Sequence, residues 1–332
     1  MELQDTINAF SSLAEKINDD PKLFLNDKII SAKNHNPWFT EDSILNSLKS
    51  LVSMIEKEAL SNWVKSYEIK CKISTVLIVM AGNIPFVGFH DLLSVLISGN
   101  RAILKFSSKD STLMTHVVNE LIKIDKRFLN FITISDSLVK SGFDFVIATG
   151  SDSSAKYFNY YFSKSKCIIR KNRRSIAILD GSESKNQLLS LSDDVFLYFG
   201  LGCRSVSKIY LPEGYDLNLL FEAFYKYNNV INNAKYCNNY EYNKAIHLMN
   251  SSDLIENGFI VLKEDISIQS PIAMLYYEFY SNRELLDLKI NKMKDSLQCI
   301  VSKENDNFGK TQYPGLDDYA DNIDTLLFLN TL

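Results

Sequence analysis

The sequence predicts an α/β fold built on doubly wound parallel sheets. Three observations carry that expectation. Short buried-strand runs alternate with stretches of helical periodicity from about residue 73 onward, and the junctions between them hold Gly, Asn, Pro and Ser suited to turns. The 332 residues exceed one ordinary core and suffice for two domains.

Residues 1 to about 70 read as helical. Ile44, Leu45, Leu48, Leu51, Val52 and Ile55 recur at helical spacing, the segment 36–40 interrupts as a turn, and Thr40 before Glu41 and Asp42 marks a helix start. Residues 73–80 form a buried-strand run, followed by a Gly-Asn-Ile-Pro turn and a helix carrying Leu92, Val95 and Leu96 inward. A strand at 102–106, a helix at 112–124, a strand at 144–148 and a helix at 154–162 continue the alternation. A strand at 175–179 then precedes a helix over 188–198. The second half repeats the pattern with a strand at 208–211, helices within 217–250, and strands near 259–262 and 271–277. The Asn- and Tyr-rich stretch 225–242 is polar, yet Val230, Ile231 and Ala234 interrupt it and favour folding.

Composition narrows the function classes. The chain is 46% hydrophobic and 23% charged with a net charge of −4, which gives no basic footprint for nucleic acid. The amino-terminal Met-Glu-Leu-Gln-Asp lacks the start of a signal peptide, and the longest apolar runs are strand-sized, so no membrane span is expected. Five scattered cysteines argue against a disulfide framework and for a reducing compartment, the cytoplasm. With four His, no CxxC and no HExxH, no metal site is expected.

Four segments carry candidate chemistry. Ala81-Gly82-Asn83-Ile84-Pro85 joins a strand to a helix, where Asn83 can direct its amide into a cleft; taken alone, the segment is better read as a capping Asn with a turn-forming Pro. Ser98-Gly99-Asn100-Arg101-Ala102-Ile103-Leu104-Lys105-Phe106-Ser107-Ser108-Lys109 ends a strand with Lys105, Ser107 and Ser108, a set suited to a ribose or phosphate and also to a solvated strand end. Ala148-Thr149-Gly150-Ser151 is another strand-to-helix junction, where Gly150 and Ser151 can meet a pyrophosphate. There is no GxGxxG, which argues against an ordinary dinucleotide-binding dehydrogenase. The fourth, Phe199-Gly200-Leu201-Gly202-Cys203-Arg204-Ser205, sets a thiol among glycines that permit tight turns, and a thiolate suits acyl exchange. Cys71, Cys167, Cys237 and Cys299 lack that setting and read as small buried apolar residues.

The order of these four segments resembles the aldehyde dehydrogenase superfamily, and within it the LuxC-type acyl-CoA reductase (fatty-acid reductase) family. The likeness runs from about Asn36 to the C-terminus, where Phe308-Gly309-Lys310 and Leu316-Asp317-Asp318-Tyr319-Ala320-Asp321 also take part. It implies an aldehyde-dehydrogenase-like fold: a Rossmann-like cofactor-binding domain at 1–179, an α/β catalytic domain at 180–307 carrying the nucleophile, and a segment 308–332 returning to the first domain. It further implies that a thioester acylates Cys203 and that Asn83 donates to the oxyanion. Lys105, with Ser107 and Ser108, would hold the adenosine ribose or its 2′-phosphate, and Gly150 and Ser151 would sit under the diphosphate. Ser270-Pro271-Ile272-Ala273 resembles the nicotinamide-ribose pocket without its acidic residue, so no side-chain role follows there.

Two departures refine this. The hydrolytic relatives carry Glu-Leu-Gly-Gly-Lys, whose Glu activates water; here the segment is Arg170-Lys171-Asn172-Arg173-Arg174-Ser175, without a carboxylate. That favours reduction of an acyl thioester over oxidation of an aldehyde to an acid. Ser108 stands where NAD-preferring relatives often have Glu, and between Lys105 and Lys109 it favours NADPH. The expected donor is acyl-CoA or an acyl-carrier protein, and the resemblance implies a homo-oligomer. Two alternatives stay open: a CoA-acylating aldehyde dehydrogenase running oxidatively, and a non-catalytic scaffold subunit, for which Gly202 in place of the usual Gln speaks.

Overall fold

The computed structural model describes residues 1–69 and 73–331, and the chain divides into two units, Met1–Asn172 with Pro314–Leu332, and Arg173–Tyr313. Lys70, Cys71, Lys72 and Leu332 lie outside the described residues, so the expectation for Cys71 does too.

The first unit opens with α1 (Leu3–Asp19), α2 (Pro21–Leu25), α3 (Lys28–His35), α4 (Glu41–Ile55) and α5 (Lys57–Val64). On α1 the buried Ile7, Phe10, Leu13, Ala14 and Ile17 follow helical spacing. Thr40 starts α4 by accepting the Ser43 amide, with Glu41 and Asp42 in the first turn, where a helix favours negative charge. Then β1 (Thr75–Val79), α6 (Phe89–Ile97), β2 (Arg101–Lys105), α7 (Ser111–Ile124), β3 (Ile132–Ile134), β4 (Phe145–Thr149), α8 (Asp152–Tyr161) and β5 (Lys166–Arg170) alternate.

The strands form a five-stranded parallel sheet, ordered β3-β2-β1-β4-β5. The order reverses between β1 and β4, the kind of switch point at whose carboxyl edge open α/β sheets bind ligands. Residue alternation splits the central strands between two faces. Val76, Ile78, Leu104 and Ile147 join the large helical core, while Leu77, Val79, Val146 and Ala148 pack with Phe158 and Phe162. The last stretch ends in α13 (Thr325–Leu329) and adds Leu316, Tyr319, Leu326 and Leu329 to the helical core. There Trp63 Nε1 donates to Tyr319 Oη at 3.0 Å, and Tyr67 Oη donates to Asp324 at 2.8 Å.

The second unit runs β6 (Arg174–Ile178), α9 (Lys185–Phe196), β7 (Val206–Pro212), α10 (Asn218–Phe224), α11 (Ala234–Met249), β8 (Ile255–Glu256), β9 (Val261–Glu264), β10 (Met274–Tyr280), α12 (Arg283–Met293) and β11 (Leu297–Ser302). Its sheet is ordered β11-β6-β7-β10-β9-β8, parallel except for β8 against β9.

The unit borders differ from 179 and 308. β6 hydrogen-bonds to β7 and β11 and so belongs to the second sheet. Gly309 and Thr311 donate their amides to the α9 residue Asp194, at 2.6 and 3.0 Å, which keeps residues 308–313 with that unit. The polar stretch after α10 folds as a 3₁₀ segment, Tyr225–Asn232, and as α11.

Candidate active site

The turns that follow β1, β2 and β4 share the carboxyl edge of the first sheet. After β1, Gly82 is buried so tightly that a Cβ there would lie 2.6 Å from Ser107 Cβ. Asn83 follows, half-buried. The turn is held at two further points: Ser47 Oγ donates to the Pro85 carbonyl at 2.6 Å, and the Phe86 N–H donates to Asp110 Oδ2 at 2.8 Å. Phe86 takes φ +58°, a left-handed conformation costly for a residue with a Cβ.

After β2, Lys105 is half-buried and donates from Nζ to the Phe106 carbonyl at 3.0 Å. Ser107 is half-buried and accepts the Lys109 amide; Ser108 and Lys109 are exposed. After β4, Gly150 donates to the Arg170 carbonyl at 3.2 Å, and Ser151 caps α8 by accepting the Ser154 amide. Asn83, Lys105, Ser107, Ser108, Gly150 and Ser151 therefore occupy neighbouring turns along one sheet edge. The hydroxyl of Ser151 is engaged with its own helix.

Cys203 belongs to the second unit. Residues 198–200 are consecutively left-handed: Tyr198 at φ 58°, Phe199 at φ 59° and Gly200 at φ 73°. Only Gly200 takes the conformation that glycine makes easy; the two aromatics hold a geometry that costs roughly 1–2 kcal/mol per residue, and Gly202 does not take a positive φ. The fixing contacts lie around them. Tyr198 is buried, the Phe199 and Tyr236 rings lie 6.0 Å apart, and Gln312 donates to Ser205 Oγ at 3.1 Å. The fully buried Ser175, at the start of β6, donates its hydroxyl to the Cys203 carbonyl at 2.9 Å and accepts the Cys299 amide at 3.1 Å. The half-buried nucleophile candidate is thus tied by its backbone to the amino ends of β6 and β11.

Arg170, at the end of β5, is buried and donates from Nη1 to both oxygens of Asp91, at 2.7 and 2.6 Å, and from Nη2 to Thr325 Oγ1 at 3.0 Å. Asp91 is the one carboxylate in the largely apolar α6. A buried carboxylate in such a helix needs a partner, and that was the one available signal for this pair. Ser175, Asp91, Asp110 and Gln312 were not singled out from the sequence. Cys167, Cys237 and Cys299 are half-buried rather than fully buried, and burial pushes the Cys167 thiol up from its ordinary pKa.

The acyl-CoA reductase (LuxC) family matches residues 1–231. Long-chain acyl-protein thioester reductase 2 of Photobacterium leiognathi is 26% identical over 158 residues, 43% of this chain and 33% of that protein, so the match spans about a third of the relative's length. Among solved structures, the aldehyde dehydrogenase KauB from Pseudomonas aeruginosa gives a TM-score of 0.66 at 12% identity, covering 91% of this chain and 76% of that one. An aldehyde dehydrogenase of Mycobacterium tuberculosis, complexed with NAD+, gives 0.65 at 12% identity over 91% and 78%. At such identities the structural likeness speaks for the fold, which is that of the aldehyde dehydrogenases. No described helix is long and apolar enough to cross a membrane. Because the family match takes in more than half of the sequence, over the segment that holds both the first-sheet turns and Cys203, this chain belongs to the LuxC acyl-CoA reductase family.

Proposed function

We propose that the protein reduces an acyl thioester to an aldehyde with NADPH, through an acyl-enzyme on Cys203. The observation that carries this reading is the engagement of Arg170. In the segment that the hydrolytic relatives fill with a water-activating Glu, the side chain is a cation held in a buried pair with Asp91. With no carboxylate in that segment, water attack on the acyl-enzyme lacks its base, and reduction can outrun hydrolysis.

In this mechanism the Cys203 thiolate attacks the acyl carbonyl carbon, the carbon–sulfur bond to the carrier breaks, and the carrier thiolate leaves and takes a proton. When bound, NADPH supplies the hydride that reduces the Cys203 thioester carbon. The resulting thiohemiacetal oxyanion re-forms its carbonyl as the bond to Cys203 Sγ breaks, releasing aldehyde and the thiolate. The Asn83 amide and the Cys203 N–H stabilise both oxyanions. Removing one such donor costs about 3–4 kcal/mol in the barrier, so Asn83→Ala is expected to lower kcat by two to three orders of magnitude. Unchanged single-turnover rates in that variant would remove Asn83 from the chemistry.

The turn after β2 fits the cofactor. Its carboxylate, Asp110, is buried and turned to the Phe86 amide, leaving Lys105, Ser108 and Lys109 as a cationic and neutral face for a 2′-phosphate. Ser108→Glu would set like charges together, and about 1.4 kcal/mol of repulsion is tenfold in binding. The expected result is a KM for NADPH raised about tenfold or more, with the KM for NADH unchanged or lower. An equal rise for both cofactors would place the 2′-phosphate elsewhere.

The acyl donor is CoA-bound or protein-bound, the latter being the substrate class in the name of the P. leiognathi relative. The test of the reaction is incubation with NADPH and palmitoyl-CoA. NADPH loss matched by trapped aldehyde and released thiol is expected, whereas release of palmitate without NADPH loss would overturn the reductase reading.

A further inference from the structure

We propose that Asp110 is a positioning residue that locks the Asn83 turn to the cofactor turn, so that one carboxyl sets the aim of the oxyanion donor. The inference rests on the reading of Asn83 given above and extends it to a residue that touches neither acyl group nor cofactor.

Asp110 stands at the N-cap of α7, where an Asp ordinarily accepts amides of its own first turn. Here it makes no such cap. Its Oδ2 instead accepts the Phe86 N–H at 2.8 Å, across from the other turn, and its Oδ1 is buried without a hydrogen-bond partner. The residue is 3% exposed, and burial pushes its carboxyl well above the usual carboxylate range. A group placed at this cost and withheld from its own helix is doing something for Phe86.

Phe86 is left-handed and three residues after Asn83. Its N–H is an obligatory donor that, buried, needs an acceptor. Asp110 also shares in the packing that excludes a side chain at Gly82: a Cβ there would come within 3.3 Å of Asp110 Cβ and 2.6 Å of Ser107 Cβ. The Asp110 amide in turn donates to the Ser107 carbonyl at 3.1 Å, and the Met80 amide donates to the Lys105 carbonyl at 3.0 Å. Both flanks of Asn83, Gly82 and Phe86, are therefore pinned to the segment 105–110. Removing the carboxyl frees the Phe86 flank and shifts the turn that carries Asn83, and a misplacement of an ångström at a catalytic group costs about a hundredfold in rate.

The test reads the acylation of Cys203 by p-nitrophenyl acetate, as the burst of p-nitrophenolate in stopped flow, which requires neither NADPH nor the natural donor. Asp110→Ala is expected to slow the burst tenfold to about a hundredfold in the otherwise wild-type protein and to have almost no further effect when Asn83→Ala is already present. Asp110→Asn keeps an acceptor for the Phe86 amide and is expected to restore the burst to within about threefold, a difference smaller than tenfold in free-energy terms. If Asp110→Ala slows both backgrounds by the same factor, or if Asn83→Ala slows the burst and Asp110→Ala does not, the inference is overturned while the Asn83 reading stands. If Asn83→Ala leaves the burst unchanged, or if wild type shows no burst dependent on Cys203, the underlying reading fails and the inference falls with it.

Discussion

Cys203→Ala is expected to abolish NADPH consumption with acyl-CoA, by about four or more orders of magnitude, as removal of a nucleophile does where the covalent intermediate is obligatory. The substitution removes only the thiol. The Cys203 carbonyl still accepts the Ser175 hydroxyl, and its N–H is retained, so the turn keeps its anchors. The left-handed residues 198–200 precede the change and are held by their own packing. Loss of rate without loss of fold is therefore the expected pair of results. Single-turnover NADPH oxidation and intact-mass analysis read it: wild type gains the mass of the acyl group and the variant does not. A variant that still turns over at more than about a hundredth of the wild-type rate, a barrier change under 3 kcal/mol, would transfer the nucleophile role elsewhere.

The second large effect concerns stability. Asp91→Ala leaves the buried Arg170 guanidinium with its hydrogen bond to Thr325 and no counter-charge from Asp91, and breaking a buried ion pair from one side costs about 3–5 kcal/mol. The double variant Asp91→Leu with Arg170→Met removes both charges and fills the space with apolar atoms, so it is expected to recover most of that loss. Denaturant unfolding of the full chain measures both. A single variant within about 1 kcal/mol of wild type, the ordinary effect of a surface pair, would show that water or rearrangement compensates Arg170.

Much of the fold was legible because it is written in local periodicity. The alternation of buried strands with amphipathic helices announced the parallel sheets, and Gly-Asn-Ile-Pro and Gly-Leu-Gly-Cys announced turns. β11 escaped, as did several elements that are short or charged. β3 has three residues, β5 begins with Lys166 and ends with Arg170, and α12 carries Arg283, Glu284, Asp287, Lys289 and Lys292 over few buried positions. Each gains its place from neighbours distant in sequence rather than from its own pattern.

The site divides in the same way. Cys203, Asn83 and Lys105 stand in motifs of contiguous residues and were legible as such. Ser175 with Cys203, Phe86 with Asp110, and Asp91 with Arg170 join positions 28, 24 and 79 apart, and no local pattern encodes those pairings. The turn before Cys203 shows a further limit. Glycine marks where the backbone can become left-handed, but here Tyr198 and Phe199 carry most of the run, held there by tertiary packing against their own preference.

The first unit is assembled from two stretches of chain separated by the whole of the second. A ribosome thus completes residues 173–313 before it reaches Leu316, Tyr319, Leu326 and Leu329, which the helical core of the first unit needs. Until they emerge, the Trp63 indole and the Arg170 guanidinium lack the hydroxyls of Tyr319 and Thr325. The later stretch completes a core begun by the earlier one, and the contiguous unit bearing Cys203 is the one able to form before that later stretch emerges.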